Sequence, residues 1–197
     1  MKVLVYLFHP NLEKSRVNRR WLEELRKHPE ITVCLPYETS KSWQFDVAHE
    51  QKKLETHDRI VFQFPFYWYS SPPLMKKWLD DVLTYGWAYG PQGDALKGKE
   101  FVIAVSTGGP SDAYIAGGYN NYSLSELLKP LQQTANLIQM KFLPFFSVNN
   151  AIRATPEELE ASALAYVRHI MNPELNPQIK LERLLSEMKK SGVQLKA

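Results

Sequence analysis

The sequence predicts an α/β fold: a five-stranded, doubly wound parallel sheet with helices on both faces. Five short apolar runs recur along the 197 residues, and the first, third and fourth show little polar alternation, as strands covered on both faces require. Segments between the runs repeat apolar residues at helical spacing. Strand alternating with helix implies right-handed crossovers and a sheet held between two helical layers.

In chain order, the first strand is Val3–Leu7, which stops at His9-Pro10. Val17, Trp21, Leu22 and Leu25 then share one helical face. Residues 31–35 and 59–64 are the second and third strands, followed by a helix through Leu74, Trp78, Val82 and Tyr85. Residues 101–106 form the fourth strand, and Leu124, Leu127, Leu128, Leu131 and Ala135 mark one more helix. Residues 140–143 running into 145–148 form the fifth strand. Thr155-Pro-Glu-Glu is a helix start, with a cap, Pro at the first helical position and acids in the first turn; Asn172-Pro173 ends that helix. Ile179, Leu181, Leu184, Leu185 and Met188 mark a more polar helix in the tail. We expect one domain over residues 1–175 and a C-terminal helical extension over 176–197.

Composition narrows the function. Lys plus Arg exceed Asp plus Glu by 24 − 21 = 3, with the signs interspersed, so the positive field of a nucleic-acid binder is not expected. The single cysteine, Cys34, lies in a predicted strand and cannot make an internal disulfide. The five histidines (His9, His28, His49, His57 and His169) are scattered, so no metal site is expected, and neither an HExxH site nor a G-x-S-x-G elbow is present. The apolar stretch before His9 is too short for a signal-peptide core or a membrane span, so a cytoplasmic protein is expected.

Open parallel sheets bind ligands beyond the carboxyl ends of their strands, and three strand-end loops stand out. The first runs from His9 to Asn18 without a Gly-rich fingerprint. Ser15 reads as a helix cap, leaving the amides of Arg16, Val17 and Asn18 toward an anion and the side chains of Ser15 and Asn18 as further donors to a phosphate. A plainer account has Ser15 only capping its helix. The second loop is Pro65-Phe66-Tyr67-Trp68-Tyr69-Ser-Ser-Pro-Pro73, whose consecutive aromatics cannot all enter one core. A rigid aromatic loop suits a flat heterocycle with a hydrogen-bonding edge, as in an isoalloxazine ring; it equally suits a dimer patch. The third loop, Ser106-Thr107-Gly108-Gly109 through Tyr122, has glycine pairs at 108–109 and 117–118 that permit positive φ and close backbone approach.

His9-Pro10, Ser15-x-x-Asn18, the run from Phe64 through Pro72-Pro73-Leu74 to Trp78, Tyr85-Gly-Trp-Ala-Tyr-Gly90 and Ser106-Thr-Gly-Gly109 together resemble the NAD(P)H:quinone oxidoreductase family, which has a flavodoxin-like fold. The resemblance is strongest to its short bacterial branch, which includes the general stress protein 14 type and the ancillary subunits of glutathione-regulated potassium-efflux systems. It implies that His9 and Ser15, Arg16, Val17 and Asn18 hold a flavin phosphate, that Pro65, Phe66, Tyr67 and Trp68 lie along the ring, and that Ser106, Thr107, Gly108 and Gly109 hold its polar edge. Tyr67 stands where the family often has Gln. Tyr114 matches a Tyr proposed to stabilise the reduced flavin, and Asn120 falls near the position of a His in longer members.

The resulting expectation is a flavoenzyme that takes a hydride from NAD(P)H and passes two electrons to a quinone or another electron-poor aromatic, with Tyr114 and Asn120 at the acceptor. FMN is expected because no segment is dedicated to an adenine, with FAD as the alternative. A homodimer is expected because Tyr67, Trp68, Tyr69, Trp78, Trp87 and Tyr89 exceed what one small domain buries. The competing expectation is a flavin-binding regulatory subunit docked on a membrane transporter.

Overall fold

The computed structural model describes residues 1–191. Its elements are β1 (Val3–Leu7), α1 (Arg16–Leu25), β2 (Ile31–Cys34), α2 (Pro36–Thr39), α3 (Val47–Glu55), β3 (Arg59–Pro65), α4 (Pro73–Val82), β4 (Glu100–Ser106), α5 (Leu124–Leu127), α6 (Lys129–Leu137), β5 (Lys141–Phe142), β6 (Phe146–Val148), α7 (Pro156–Met171) and α8 (Pro177–Lys190). All strand pairs are parallel, in the order β2-β1-β3-β4-β5, with β6 pairing β4 further along. Residues 192–197, the end of the expected extension, lie outside the described residues.

Every residue of β1 and β3 is buried, and alternate side chains feed two separate cores. Val3, Val5 and Val61 meet Trp21 and Tyr166 from α1 and α7, while Leu4, Tyr6 and Phe62 meet Leu54, Trp78 and Ala135 from α3, α4 and α6. The period-two alternation of a strand thus divides the helices between the two faces.

Three local differences from the sequence expectation have simple causes. The fifth strand is split into β5 and β6 because Pro144, between them, has no N–H for the ladder. The leucine-rich segment after Ser123 breaks at Leu128 into α5 and α6, with Pro130 opening the second piece. Helix α3, absent from the sequence reading, buries only Leu54 and so has little apolar period to detect. Trp78, expected among the aromatics at a dimer face, is instead core: its ring packs on Tyr6 at 4.9 Å and its indole N–H donates to Glu50 at 3.0 Å. Trp87 and Tyr89 are half-buried as well. Among the described residues, no helix is long and apolar enough to cross a membrane.

The end of the sheet opposite the strand-end loops is closed by a fully buried arginine. Arg59 Nε donates to Glu100 at 2.7 Å, and its Nη1 donates to the carbonyls of Ile170 and of Asn172, the latter at 3.0 Å, where α7 ends. A cation at a helix C-terminus meets both the free carbonyls and the helix dipole. We expect Arg59→Leu to cost about 3–5 kcal/mol of stability, because it strands the Glu100 carboxylate and the buried Ile170 carbonyl. Urea unfolding measures this, and a loss under about 1 kcal/mol would show the clamp to be dispensable.

Candidate functional site

The strand order reverses direction between β1 and β3, so the chain leaves β1 toward one face of the sheet and β3 toward the other. A crevice opens there, holding a cavity of about 440 Å³. Its lining takes His9, Ser15, Arg16, Val17 and Asn18 from the first loop, Pro65, Phe66 and Tyr67 from the second, and Ser106, Thr107 and Gly108 from the third. The structure therefore brings together most of the residues singled out in the sequence. Trp68, Gly109, Tyr114 and Asn120 are not part of the lining, and Lys14, Ala151 and Ile152 join it without having been foreseen. The last two come from the connection after β6, which carries no motif.

At one end of the cavity is the start of α1. Ser15 is its cap, with Oγ accepting from the Asn18 amide at 3.1 Å. Arg16 and Val17 occupy the first turn, where amides have no intrahelical acceptor, so they suit an anion. The Arg16 side chain has a different role: its guanidinium donates to the carbonyls of Ile152 and Ala154 at 2.6 and 2.5 Å, strapping the connection after β6 across the helix start.

Asn18 corrects the expectation of a side-chain donor to phosphate. Its side chain is buried, and its Nδ2 donates to Ser106 Oγ at 2.9 Å and to Ser15 Oγ at 3.3 Å. Its Oδ1 accepts from Gln63 Nε2 at 3.2 Å. Gln63, fully buried within β3, went unnoticed in the sequence; its signal was a lone amide inside an otherwise apolar run.

At the other end is the aromatic loop. The Ser70 amide donates to the Tyr67 carbonyl at 2.9 Å, and Trp68 and Tyr69 between them have φ of 49° and 59°. This is a tight turn with both central residues left-handed, a conformation usually given to Asn-Gly. It leaves Trp68 92% exposed. The Phe66 amide donates to the Ser106 carbonyl at 2.9 Å, and Tyr69 donates to Asn120 Oδ1 at 3.0 Å, so the second and third loops are joined twice. Tyr114 packs edge-on to Phe66, with ring centroids 6.1 Å apart, and burial raises its hydroxyl pKa, so it remains a proton donor at neutral pH.

In the third loop close approach accounts for Gly109 and Gly118, and positive φ for Gly117. Only Gly117 of the two pairs has positive φ. A Cβ on Gly109 would lie 3.0 Å from the Tyr119 hydroxyl, and one on Gly118 would lie 2.3 Å from the Asp112 carbonyl.

His9 Nδ1 accepts from the Asn11 amide at 3.1 Å, which leaves Nε2 carrying the proton of the neutral ring. Burial pushes its pKa below the ordinary histidine value, and burial does the same to His169, whose Nε2 lies 2.8 Å from the Pro144 carbonyl. Both folded-state values are depressed, so the unfolded chain binds protons first as the pH falls. Their contribution is intact above about 6.5 and is lost on acidification through the lower folded values. Thermal melts of the ligand-free protein should therefore show stability declining below about pH 6.5 and declining less in His9→Gln/His169→Gln. Parallel pH profiles would rule the two histidines out.

The residues fit the flavin that the resemblance implies: helix-start amides and a serine hydroxyl at one end, an aromatic wall at the other, and a cavity large enough for a drug-sized ligand. Residues 1–170 match the model of a family described as having a flavodoxin-like fold. An uncharacterized NAD(P)H oxidoreductase of Bacillus subtilis (strain 168), YdeQ, is 51% identical over 188 residues, 95% of each chain. The potassium-efflux ancillary protein KefG of Serratia proteamaculans is 41% identical over 172 residues, 87% of this chain and 94% of that one. General stress protein 14 of Treponema denticola, solved in complex with FMN, superposes with a TM-score of 0.80 at 44% identity, covering 85% of this chain and 96% of that one. An NADPH-quinone reductase from P. pentosaceus also superposes with a TM-score of 0.80, at 33% identity, covering 87% and 99%.

Proposed function

The chain belongs to the flavodoxin-like family and is an oxidoreductase, and on that premise we propose that it binds FMN in the crevice and carries electrons from NAD(P)H to quinones or related electron-poor aromatics. One observation carries this reading: a single cavity is lined both by a helix start with free amides and by an aromatic loop, and both sit where the sheet reverses. The FMN complex of the Treponema relative and the reductase from P. pentosaceus support the choice of cofactor and acceptor.

Bound flavin would accept a hydride from NAD(P)H and return two electrons to an acceptor in the same place, a ping-pong cycle. The protein's part is to bind and to place protons. His9, Ser15 and the Arg16 and Val17 amides would hold the phosphate, and Pro65-Phe66-Tyr67 would line the ring. Thr107 and Gly108 would bound its polar edge, while Ser106, joined to Ser15 through Asn18, would stand nearer the phosphate. FMN is favoured over FAD because the segment held by Arg16 stands at the phosphate end of the cavity.

Tyr67, Trp68, Tyr69, Tyr119 and Tyr122 are exposed, so we place a second copy of the chain over the aromatic loop, in a cytoplasmic homodimer. The KefG relatives support a second reading, a flavin-binding subunit docked on a transporter. The purified protein should be yellow, release FMN by mass, sediment as a dimer and oxidise NAD(P)H with a quinone unaided. Colourless protein that neither flavin reconstitutes would overturn the reading, and flavin without turnover would favour the transporter subunit.

Tyr114 packs on Phe66 and Asn120 accepts from Tyr69, next to the aromatic loop, and we place the oxygen of an acceptor on their side of that loop. A protonated Tyr114 hydroxyl there would meet charge developing on that oxygen or on the flavin's polar edge. Stopped-flow half-reactions of Tyr114→Phe should be slowed about tenfold, near 1.4 kcal/mol, with flavin content unchanged, and those of Asn120→Ala less. Wild-type rates in both half-reactions would remove Tyr114 from the chemistry.

A further inference from the structure

A buried chain of amides behind the cavity wall has a definite direction. Gln63 Nε2 lies 3.3 Å from the backbone carbonyl of Asn18 and 3.2 Å from Asn18 Oδ1. A side-chain amide can turn over and exchange its oxygen and nitrogen, but a backbone carbonyl only accepts. The Asn18 carbonyl therefore requires the Gln63 nitrogen on its side, and the second proton of that nitrogen requires Oδ1 of Asn18 to face it. Asn18 Nδ2 must then point the other way, to the oxygens of Ser15 and Ser106. Both hydroxyls accept from Asn18, so each keeps its own proton to donate elsewhere.

We propose that Gln63 is a positioning residue which, acting through Asn18, makes Ser15 and Ser106 proton donors toward the cavity and so selects a phosphate-bearing ligand over one ending in a hydroxyl. With the Arg16 and Val17 amides, the phosphate end of the cavity offers donors to a group that only accepts. A neutral hydroxyl there would use one donor and leave the rest unpaired. The inference deepens the flavin reading and rests on it.

A second observation agrees. Among the described residues nothing donates to Gln63 Oε1, although the side chain is fully buried. An orphaned buried acceptor costs stability, and an apolar side chain of similar length would fill the space without it. Packing alone does not account for an amide here, whereas fixing the direction of Asn18 does.

The test is to titrate ligand-free wild type, Gln63→Glu and Gln63→Met with FMN and with riboflavin, which lacks only the phosphate. Replacing the Gln63 nitrogen with a carboxylate oxygen removes the donor, so Asn18 turns over and the two serines spend their protons on it; because the new charge also repels a phosphate, Gln63→Met, which adds none, must show a selective loss too. We expect Gln63→Glu to bind FMN at least about tenfold more weakly, while riboflavin affinity changes less than about twofold. Gln63→Met leaves Asn18 free to adopt either direction and should show the same selective loss, smaller in size. It decides the matter if the buried carboxylate prevents folding. Equal losses for both ligands would assign Gln63 a merely structural part and overturn the proposal, as would unchanged affinity for both. A wild type that binds FMN with an unaffected Gln63→Glu overturns this inference alone; a wild type that binds neither flavin overturns the flavin reading and this inference with it.

Discussion

The crevice exists because a parallel sheet with both faces buried must send its crossovers to both sides, and between β1 and β3 it changes side. No helix can cover the gap between two connections that diverge, so the one place where strand ends stay open is fixed by topology. The loops that meet there then fill it with chemistry, while the full burial of β1 and β3 keeps their ends in register. The alternation that feeds one side chain to α1 and the next to α4 also fixes which helix start faces the gap.

Within that frame the loops are bonded to one another as well as to the strand ends. Arg16 reaches across to the connection after β6, Phe66 pairs with the Ser106 carbonyl, Tyr69 reaches Asn120, and Asn18 bridges Ser15 and Ser106. Segments far apart in sequence thus form one rigid wall. Preorganisation of this kind reduces the ordering cost of binding a long, flexible ligand.

The strands were legible because continuous burial leaves a plain mark: β1 is an unbroken apolar run, and apart from polar residues at their ends β3 and β4 are interrupted only by Gln63. The start of α7 was legible because its cap, Pro and acids are local chemistry, and the structure adds the reciprocal bond that the Thr155 amide donates to Glu158. Helix α3 was not legible, since a mostly charged segment burying one leucine has no period. The site was legible in its loops but not in its partners. That Asn18 faces inward and that Arg16 serves the connection after β6 depend on neighbours 45 to 138 positions away, which spacing along the chain does not encode.

The turn at Trp68-Tyr69 places two bulky side chains in a backbone region that disfavours them by roughly 1–2 kcal/mol each. Gly at either position would relieve the strain and remove an exposed ring, so local stability and aromatic surface pull in opposite directions here. Efforts to harden this protein against heat would be drawn first to these two positions, where each gain in stability removes exposed aromatic surface.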